Sequence, residues 1–143
     1  MKIIIGSDHA GFKLKEACKT YLEKNGEHQV TDVGVFSTAS SDYPKIAQQV
    51  AQGVAEGGYQ RGVLICGTGI GMSITANRYK GVRAALCYNI FGARMSRLHN
   101  DANILALGER VLGEGIALEI LDVFMETEFE GGRHQSRIDL IDC

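Results

Sequence analysis

Short apolar runs alternate along the chain with longer segments in which apolar residues recur every three or four positions. The short runs are typical of buried strands, and the longer spacing is typical of helices that bury one face. Five strands are predicted, at residues 3–5, 30–33, 63–66, 82–87 and 103–107. Three helical faces are predicted between them, at residues 14–22, 46–54 and 116–124.

Strands that alternate with helices favour a parallel sheet, because a right-handed crossover through each helix leads to the next strand in the same direction. We therefore expect an α/β fold, a single-domain doubly wound (Rossmann-like) α/β/α sandwich with a five-stranded parallel sheet over residues 1–143. Turn glycines are expected after the first, third and fifth strands, at Gly6, Gly67 and Gly108. Pro44 is expected in the first turn of the second helix.

The composition is that of an ordinary globular protein. Of 143 residues, 45% are apolar and 22% are charged, and the formal net charge is −2. A charge this small gives no general attraction to nucleic acid or to an anionic membrane, so neither is expected as a partner. No apolar run approaches the roughly 18 residues that span a bilayer, and no signal-like segment precedes the first strand. A cytoplasmic location is expected.

The cysteines and the arginines bear on the kind of site to expect. The four cysteines are widely spaced and include no C-x-x-C pair, so reduced thiols are expected rather than disulfides or zinc ligands. All eight arginines lie from Arg61 onward. Because the arginine fork suits phosphate and carboxylate groups, the second half of the chain is the better place for an anion site. The alternative is that most of these arginines lie on solvated helix faces.

The segment 63–71, VLICGTGIG, ends a predicted strand in Cys66 and continues into a glycine-rich turn. Glycines let backbone amides approach a ligand closely, and a helix that begins after them adds the positive end of its dipole. The same field favours a thiolate over a thiol. The pattern predicts a thiol beside an anion-binding loop; a buried cysteine before an ordinary strand-to-helix turn fits it equally well.

Counting from Cys66 argues against several phosphate chemistries. A cysteine phosphatase loop needs an arginine six positions later, where Met72 stands. A P-loop needs Lys and then Ser or Thr after its last glycine, but Gly71 is followed by Met72 and Ser73. Glycines at 67, 69 and 71 also differ from the G-x-G-x-x-G fingerprint of dinucleotide sites. No spacing typical of metal ligands occurs, so no metal is expected.

Two further clusters carry polar side chains near the ends of predicted strands. Asp8 and His9 follow the first strand, and His99 and Asn100 precede the fifth. Each has a structural alternative, Asp8 as a helix N-cap and His99 as a surface histidine. Both clusters are expected at the carboxyl-end face of the sheet, together with Cys66. Such a set around a small phosphorylated substrate suits proton abstraction next to a carbonyl and stabilisation of an enediolate.

Near the C-terminus, Arg133 and Arg137 stand four residues apart. If residues 133–142 form a helix, the two guanidinium groups share one face. The pair is a candidate phosphate clamp; the alternative is a solvated terminal helix.

Together these residues resemble the type B ribose-5-phosphate isomerases, a family that also includes allose-6-phosphate isomerase and galactose-6-phosphate isomerase subunits. The resemblance covers nearly the whole chain and implies a Rossmann-like fold. It rests on the motifs GSDHAG at 6–11, DYP at 42–44, ICGTGIG at 65–71, RLHND at 97–101, GER at 108–110 and EGGRHQ at 130–135. The resemblance implies interconversion of ribose 5-phosphate and ribulose 5-phosphate without a metal or organic cofactor.

The resemblance also implies a role for each motif residue. Cys66 would move the proton between C1 and C2, and His99, with Thr68 nearby, would open the furanose ring. One branch of the family uses a carboxylate just after the glycine loop as its base, but Met72 stands there, so the thiol branch matches better. The implied substrate-binding groups are the amides of Gly67, Gly69, Ile70 and Gly71 for the enediolate oxygen, Asp8 and Asn100 for sugar hydroxyls, Tyr43 for the ring, and Arg133, Arg137, His9 and Arg110 for the phosphate.

In this family the site lies between subunits, with His99, Asn100 and Arg110 facing the first-strand and glycine loops of a neighbour. The resemblance therefore implies a homodimer or a dimer of dimers with a shared site. Apolar side chains within residues 90–98 fit either the core or such an interface.

Other functions remain open. Allose 6-phosphate, and less so galactose 6-phosphate, are alternative substrates, since a hexose phosphate differs from a pentose phosphate by one CH–OH unit. A non-catalytic module that binds a sugar phosphate or a nucleotide would use the glycine loop only as an anion site. A thiol-redox protein would need a second cysteine near Cys66 in the sequence, where none stands. Ribose 5-phosphate is expected to be the preferred substrate.

Overall fold

The computed structural model describes residues 1–24 and 26–142 of the chain. Within them, one parallel sheet comprises β1 (Lys2–Ser7), β2 (Gln29–Asp32), β3 (Arg61–Cys66), β4 (Ala84–Leu86) and β5 (Ile104–Gly108). The helices are α1 (Phe12–Glu23), α2 (Tyr43–Ala55), α3 (Ile70–Ala76), α4 (Ile90–Asn100), α5 (Glu114–Glu126) and α6 (Arg133–Ile138). The expected α/β fold with a five-stranded parallel sheet is confirmed, and Pro44 lies in the first turn of α2.

The strand order, β2-β1-β3-β5-β4, creates a crevice between β1 and β3. From β1 the chain crosses to β2 at one edge, and from β3 it crosses to β4 at the other edge. When the connections from two neighbouring strands lead to opposite edges of the sheet, a crevice opens at the carboxyl ends of those strands. Sheets of this kind bind ligands in that crevice. The segments after β1 and β3 meet there, and the Asp8 N–H donates to the Ile65 carbonyl at 3.2 Å.

Helices cover both faces of the sheet because successive strand residues point to opposite sides. Ile3 and Ile5 belong to the core formed with α1, α4 and α5, whereas Ile4 and Leu64 belong to the core formed with α2 and α3. α6 packs against α4. None of the helices within residues 1–24 and 26–142 combines the length and apolar character that a membrane crossing requires.

One ion pair lies inside this framework. Lys15 of α1 is fully buried, and its Nζ donates to Asp32 Oδ2 at 2.6 Å and to Glu16 Oε1 at 2.8 Å. The other Asp32 oxygen accepts the Gly34 N–H at 2.9 Å. The pair therefore ties α1 to the end of β2, an interaction that the apolar periodicity of α1 did not predict.

Two glycines predicted as turn residues lie within strands. Gly6 is part of β1, and Gly108 is the last residue of β5. A Cβ at Gly108 would lie 2.7 Å from the backbone of Thr68, so the glycine permits close approach of two backbones rather than a turn. β4 is also shorter than the predicted run of residues 82–87, since it forms the edge of the sheet and pairs with β5 alone.

Candidate active site

A cleft of about 480 Å³ opens at the carboxyl ends of β1 and β3. Cys66, the last residue of β3, lines the cleft with 6% of its surface exposed. The N–H of Gly69 donates a 3.0 Å hydrogen bond to its Sγ. The other lining residues are Asp8, His9, Ala10, Tyr43, Gly67, Thr68, Ile70, Gly71, Ile74 and Arg110.

Contacts on both sides hold the glycine loop in place. Gly69 has φ +80°, and a Cβ there would lie 2.9 Å from the Leu107 backbone, so only glycine fits without strain. Thr68 Oγ1 accepts the Ile70 N–H at 3.3 Å, and the Tyr88 hydroxyl donates to the Thr68 carbonyl at 2.7 Å. The first N–H groups of α3 have no carbonyl partner inside the helix, so the loop can offer donors to an anion.

The segment after β1 presents one aspartate and one histidine, both partly engaged. Asp8 Oδ1 accepts the N–H groups of Ala10 and Gly11, at 3.0 and 3.1 Å, so the N-cap alternative applies to this oxygen. His9 Nδ1 accepts the Ser41 N–H at 3.2 Å, and the His9 N–H donates to Ser41 Oγ at 3.0 Å. An accepting Nδ1 leaves the proton of a neutral imidazole on Nε2, which can therefore donate to an anion.

Tyr43 and Arg110 form two walls of the cleft. The Tyr43 ring lies against Gly71, where a Cβ would stand 2.6 Å from ring carbons. Arg110 lies over Gly67 of its own chain, whose missing Cβ would be 3.3 Å from Arg110 Cδ, and the Arg110 N–H donates to the Gly67 carbonyl at 3.0 Å. Arg110 therefore faces the glycine loop of its own chain, because the β5 and β3 ends are adjacent in one sheet.

The other described cysteines have a different environment. Burial, and secondarily the Glu114 carboxylate, raises the pKa of Cys18 to about 12. Burial also raises the pKa of Cys87, against the opposing effect of a hydrogen bond from Ser96. Of the three, Cys66 alone receives a backbone N–H on its sulfur. Cys143 lies outside the described residues.

His99 and Asn100 lie at the opposite end of the sheet from Cys66. They end α4, which starts beyond the carboxyl end of β4 and returns to the start of β5. Arg83, directly before β4, donates from Nε to the Asn100 carbonyl at 2.9 Å. The prediction of a shared carboxyl-end face is wrong for this cluster, because a crossover helix runs antiparallel to its strands. β5 is 5 residues long, which separates the two ends by roughly 15 Å.

α6 carries the two candidate phosphate arginines on its exposed side. It spans Arg133–Ile138, shorter than the predicted 133–142, but both arginines lie within it. His134 and Ile138 occupy its buried side. The His134 ring stacks on His99 with centroids 4.3 Å apart and planes 14° apart. The arginines of α6 and His99 therefore belong to one group of residues, which we call the α4–α6 cluster: His99, Asn100, Glu130, Arg133, His134 and Arg137.

Among the described residues, one group has three ligand-type atoms within 4.8 Å of one another, from His99, Glu130 and His134. The two imidazole rings are nearly parallel, so their in-plane nitrogen lone pairs cannot converge on one ion without rotation of a ring. The arrangement therefore suits stacking of one ring on the other better than binding of a metal.

Several side chains that hold the site were missed by sequence reasoning. Ser41 orients His9, Tyr88 holds the Thr68 carbonyl, and Glu109 Oε2 accepts the Leu14 N–H at 2.9 Å. Each partner is at least 20 residues away in sequence, so no local spacing rule signals the pairing. The adjacency of Ser41 to DYP and of Glu109 to Arg110 is the only hint in the sequence.

The doubly wound sheet, the cysteine at its crevice and the amides and arginine beside that cysteine place the protein among α/β enzymes that act on small anionic substrates. Comparison with known proteins narrows this class. The Ribose/Galactose Isomerase family model matches residues 3–141, and the chain belongs to that family.

Individual relatives agree with the family assignment. The chain is 46% identical to ribose-5-phosphate isomerase B of Escherichia coli, over 98% of this chain and 93% of that protein. It is 40% identical to D-erythrulose-4-phosphate isomerase of Pectobacterium atrosepticum, over 99% of this chain and 93% of that protein. The structure of Clostridium thermocellum ribose-5-phosphate isomerase B superposes with a TM-score of 0.97 at 52% identity, covering 99% of this chain and 95% of that one.

Proposed function

We propose that this protein interconverts D-ribose 5-phosphate and D-ribulose 5-phosphate through an enediolate. The observation that carries the proposal is the Gly69 N–H bound to Cys66 Sγ in a cleft that also contains His9 and Arg110. Isomerisation requires a base at carbon, because a proton leaves C2 and returns to C1 while negative charge grows on O1. A thiol beside backbone donors and the Arg110 guanidinium supplies both functions, and the named relatives support the same reaction.

In the proposed mechanism, Cys66 takes the C2 proton and returns it to C1. The amides of the loop 67–71 hold the charged oxygen of the enediolate, where their fixed positions cost little reorganisation. The Asp8 oxygen that does not accept the Ala10 and Gly11 N–H groups binds a sugar hydroxyl, and Tyr43 lines the sugar ring.

The remaining steps use the α4–α6 cluster. His99, assisted by Thr68, opens the furanose ring, and Asn100 binds a sugar hydroxyl. Arg133 and Arg137 bind the phosphate from the exposed side of α6, together with His9 Nε2–H and Arg110. Bidentate guanidinium groups match the geometry of a phosphate, which supports this assignment of the arginines.

One chain therefore carries two incomplete halves of the proposed site, at opposite ends of the sheet. One substrate can contact both halves only if they come from different subunits. A two-fold homodimer places the cleft of each subunit against the α4–α6 cluster of the other, because an isologous interface pairs the same two patches twice. Exposed apolar side chains near both halves support such contact: Ile74 at the cleft is 56% exposed, and Leu140, shortly after α6, is 76% exposed.

Mixed dimers test the shared site. A Cys66→Ala subunit and a His99→Asn subunit, each inactive as a homodimer, are co-expressed with different tags and purified as the heterodimer. One of its two sites then has both wild-type residues, so about half of the wild-type activity should return. A heterodimer as inactive as its parents would show that thiol and imidazole act within one chain.

Solvent isotope exchange tests the reaction itself. In deuterated water with ribose 5-phosphate, the wild type should introduce deuterium at C2, whereas a non-catalytic sugar-phosphate module should not. Cys66→Ala should abolish exchange and still bind the sugar phosphate. Cys87→Ala is the matched thiol control and should retain exchange. Turnover by Cys66→Ala at the wild-type rate would contradict the assignment of the base.

The substrate has a second candidate. The 40% identical relative named D-erythrulose-4-phosphate isomerase indicates that this fold accepts a shorter sugar. Measurements of kcat/KM for ribose 5-phosphate, D-erythrulose 4-phosphate, allose 6-phosphate and galactose 6-phosphate separate these choices. We expect the largest value for ribose 5-phosphate; a larger value for any other sugar would reassign the substrate. We also place the enzyme in the cytoplasm, because its thiol base must stay reduced to act.

A further inference from the structure

His134 has no part in the proposed mechanism, yet it is buried on α6. It is 4% exposed, and its Nε2 has no hydrogen-bond partner within the described residues. Arg133 and Arg137 turn outward on the same helix, so α6 directs its imidazole inward onto His99. Burial of an unpartnered polar ring is costly, which makes it informative about function.

Glu130 completes this arrangement. Its Oε2 lies 3.9 Å from His134 Nε2 and 4.0 Å from His99 Nε2. The Glu130 N–H donates to the Leu98 carbonyl at 3.1 Å, which anchors the carboxylate beside the end of α4. One carboxylate thus faces both imidazoles from the same side.

We propose that His134 and Glu130 are positioning residues for His99 in ring opening, an inference that rests on the proposed function. The His134 ring acts as a flat support that fixes the plane of the His99 ring. Glu130 attracts the proton that the His99 imidazole carries during the step. Neither residue touches the reacting carbon atoms.

Ring opening needs this control because one imidazole handles a proton at two positions. A proton leaves the anomeric hydroxyl, the bond from C1 to the ring oxygen breaks, the C1 carbonyl forms, and a proton is delivered to the ring oxygen. An imidazole that rotates away from either oxygen loses the transfer, since the donor and acceptor must stay within hydrogen-bond distance.

The charges around the pair favour a neutral His134. Burial, and then the adjacent His99, lowers the pKa of His134, with Arg133 and Arg137 acting in the same direction and Glu130 opposing them. His134 is therefore neutral at pH 7, so the ring that stacks on His99 carries no positive charge of its own. Protonation of both rings at 4.3 Å would be opposed by repulsion.

The reverse substrate separates ring opening from carbon chemistry. Ribulose 5-phosphate cannot form a furanose, because the hydroxyl that would close the ring on C2 carries the phosphate. Deuterium exchange at its C1 therefore reports the Cys66 step alone, whereas conversion of ribose 5-phosphate also reports ring opening. Both rates are measured on the full-length wild type, His134→Ala, His134→Phe and Glu130→Gln. Gln135→Ala, an exposed neighbour on α6 whose side chain donates to Asp139, is the matched control.

We expect His134→Ala and Glu130→Gln to slow ribose 5-phosphate conversion by about tenfold or more and to leave C1 exchange within about twofold. His134→Phe, which keeps the stack, should recover most of the loss. Gln135→Ala should change neither rate.

Three results would overturn the inference: equal loss of both rates, no loss of either in Glu130→Gln, or no recovery in His134→Phe. Because Glu130 is exposed, its variant tests the inference even if His134→Ala fails to fold. Failure of the proposed function has a different signature, since the wild type would then show neither conversion nor exchange.

Discussion

Gly71→Ala is expected to separate activity from stability. Gly71 is the second residue of α3, and a Cβ there would lie 2.6 Å from Tyr43 ring carbons, where ordinary carbon contacts are about 3.5–4.0 Å. The ring must therefore move by about 1 Å. Tyr43 is 40% exposed, so it can move at little cost, and alanine in a helix gains up to about 1 kcal/mol over glycine. A 1 Å displacement beside the reacting groups costs about 100-fold in kcat/KM.

The assay compares kcat/KM for ribose 5-phosphate with the free energy of unfolding from urea titration. Gly115→Ala is the matched control, because Gly115 is also the second residue of its helix but has nothing within 4 Å of the added Cβ. Gly115→Ala should leave kcat/KM unchanged. It should change the free energy of unfolding only by the difference in helix propensity between glycine and alanine. In a Tyr43→Ala background, Gly71→Ala should cause no further loss, since the two effects act through one ring. A Gly71→Ala enzyme with wild-type kcat/KM, or with a full additional loss in that background, would refute this reasoning.

Three further predictions concern stability. Lys15→Met should lower the free energy of unfolding by about 3–5 kcal/mol because it leaves Asp32 buried without its main partner. Lys19→Met, which removes a 3.4 Å contact to the same carboxylate, should lower the free energy of unfolding by less. Equal losses in the two variants would contradict the role of burial. The stability that comes from the raised pKa of Cys18 is complete below pH 9 and should be lost as pH rises toward 12. In Cys18→Ala, the free energy of unfolding from urea titrations should fall less over this pH range. The lowered pKa of His134 should make stability fall below pH 6.5, and His134→Phe should remove part of that fall.

The local pattern predicted much of the fold and half of the candidate site. Apolar runs and helical faces depend on period alone, so β3 and α2 follow directly from them. Cys66 and its glycines are adjacent in sequence, and a strand end brings them into one loop by necessity. By contrast, Gly108 was predicted to be a turn residue. The sequence alone does not distinguish a glycine that a turn requires from a glycine that the close approach of two backbones requires.

The sequence by itself determined the alternation of strands and helices and the position of a thiol beside a glycine-rich loop, because both depend on neighbours within a few residues. Its six motifs, taken together, indicated the reaction class. Only the tertiary structure decided which motif residues share a cleft. It placed Arg110 over its own Gly67 and separated His99 from Cys66 by the length of a strand, since a crossover helix returns the chain to the amino end of the sheet. It also revealed the stack of His134 on His99, a contact between two helices that no local spacing encodes.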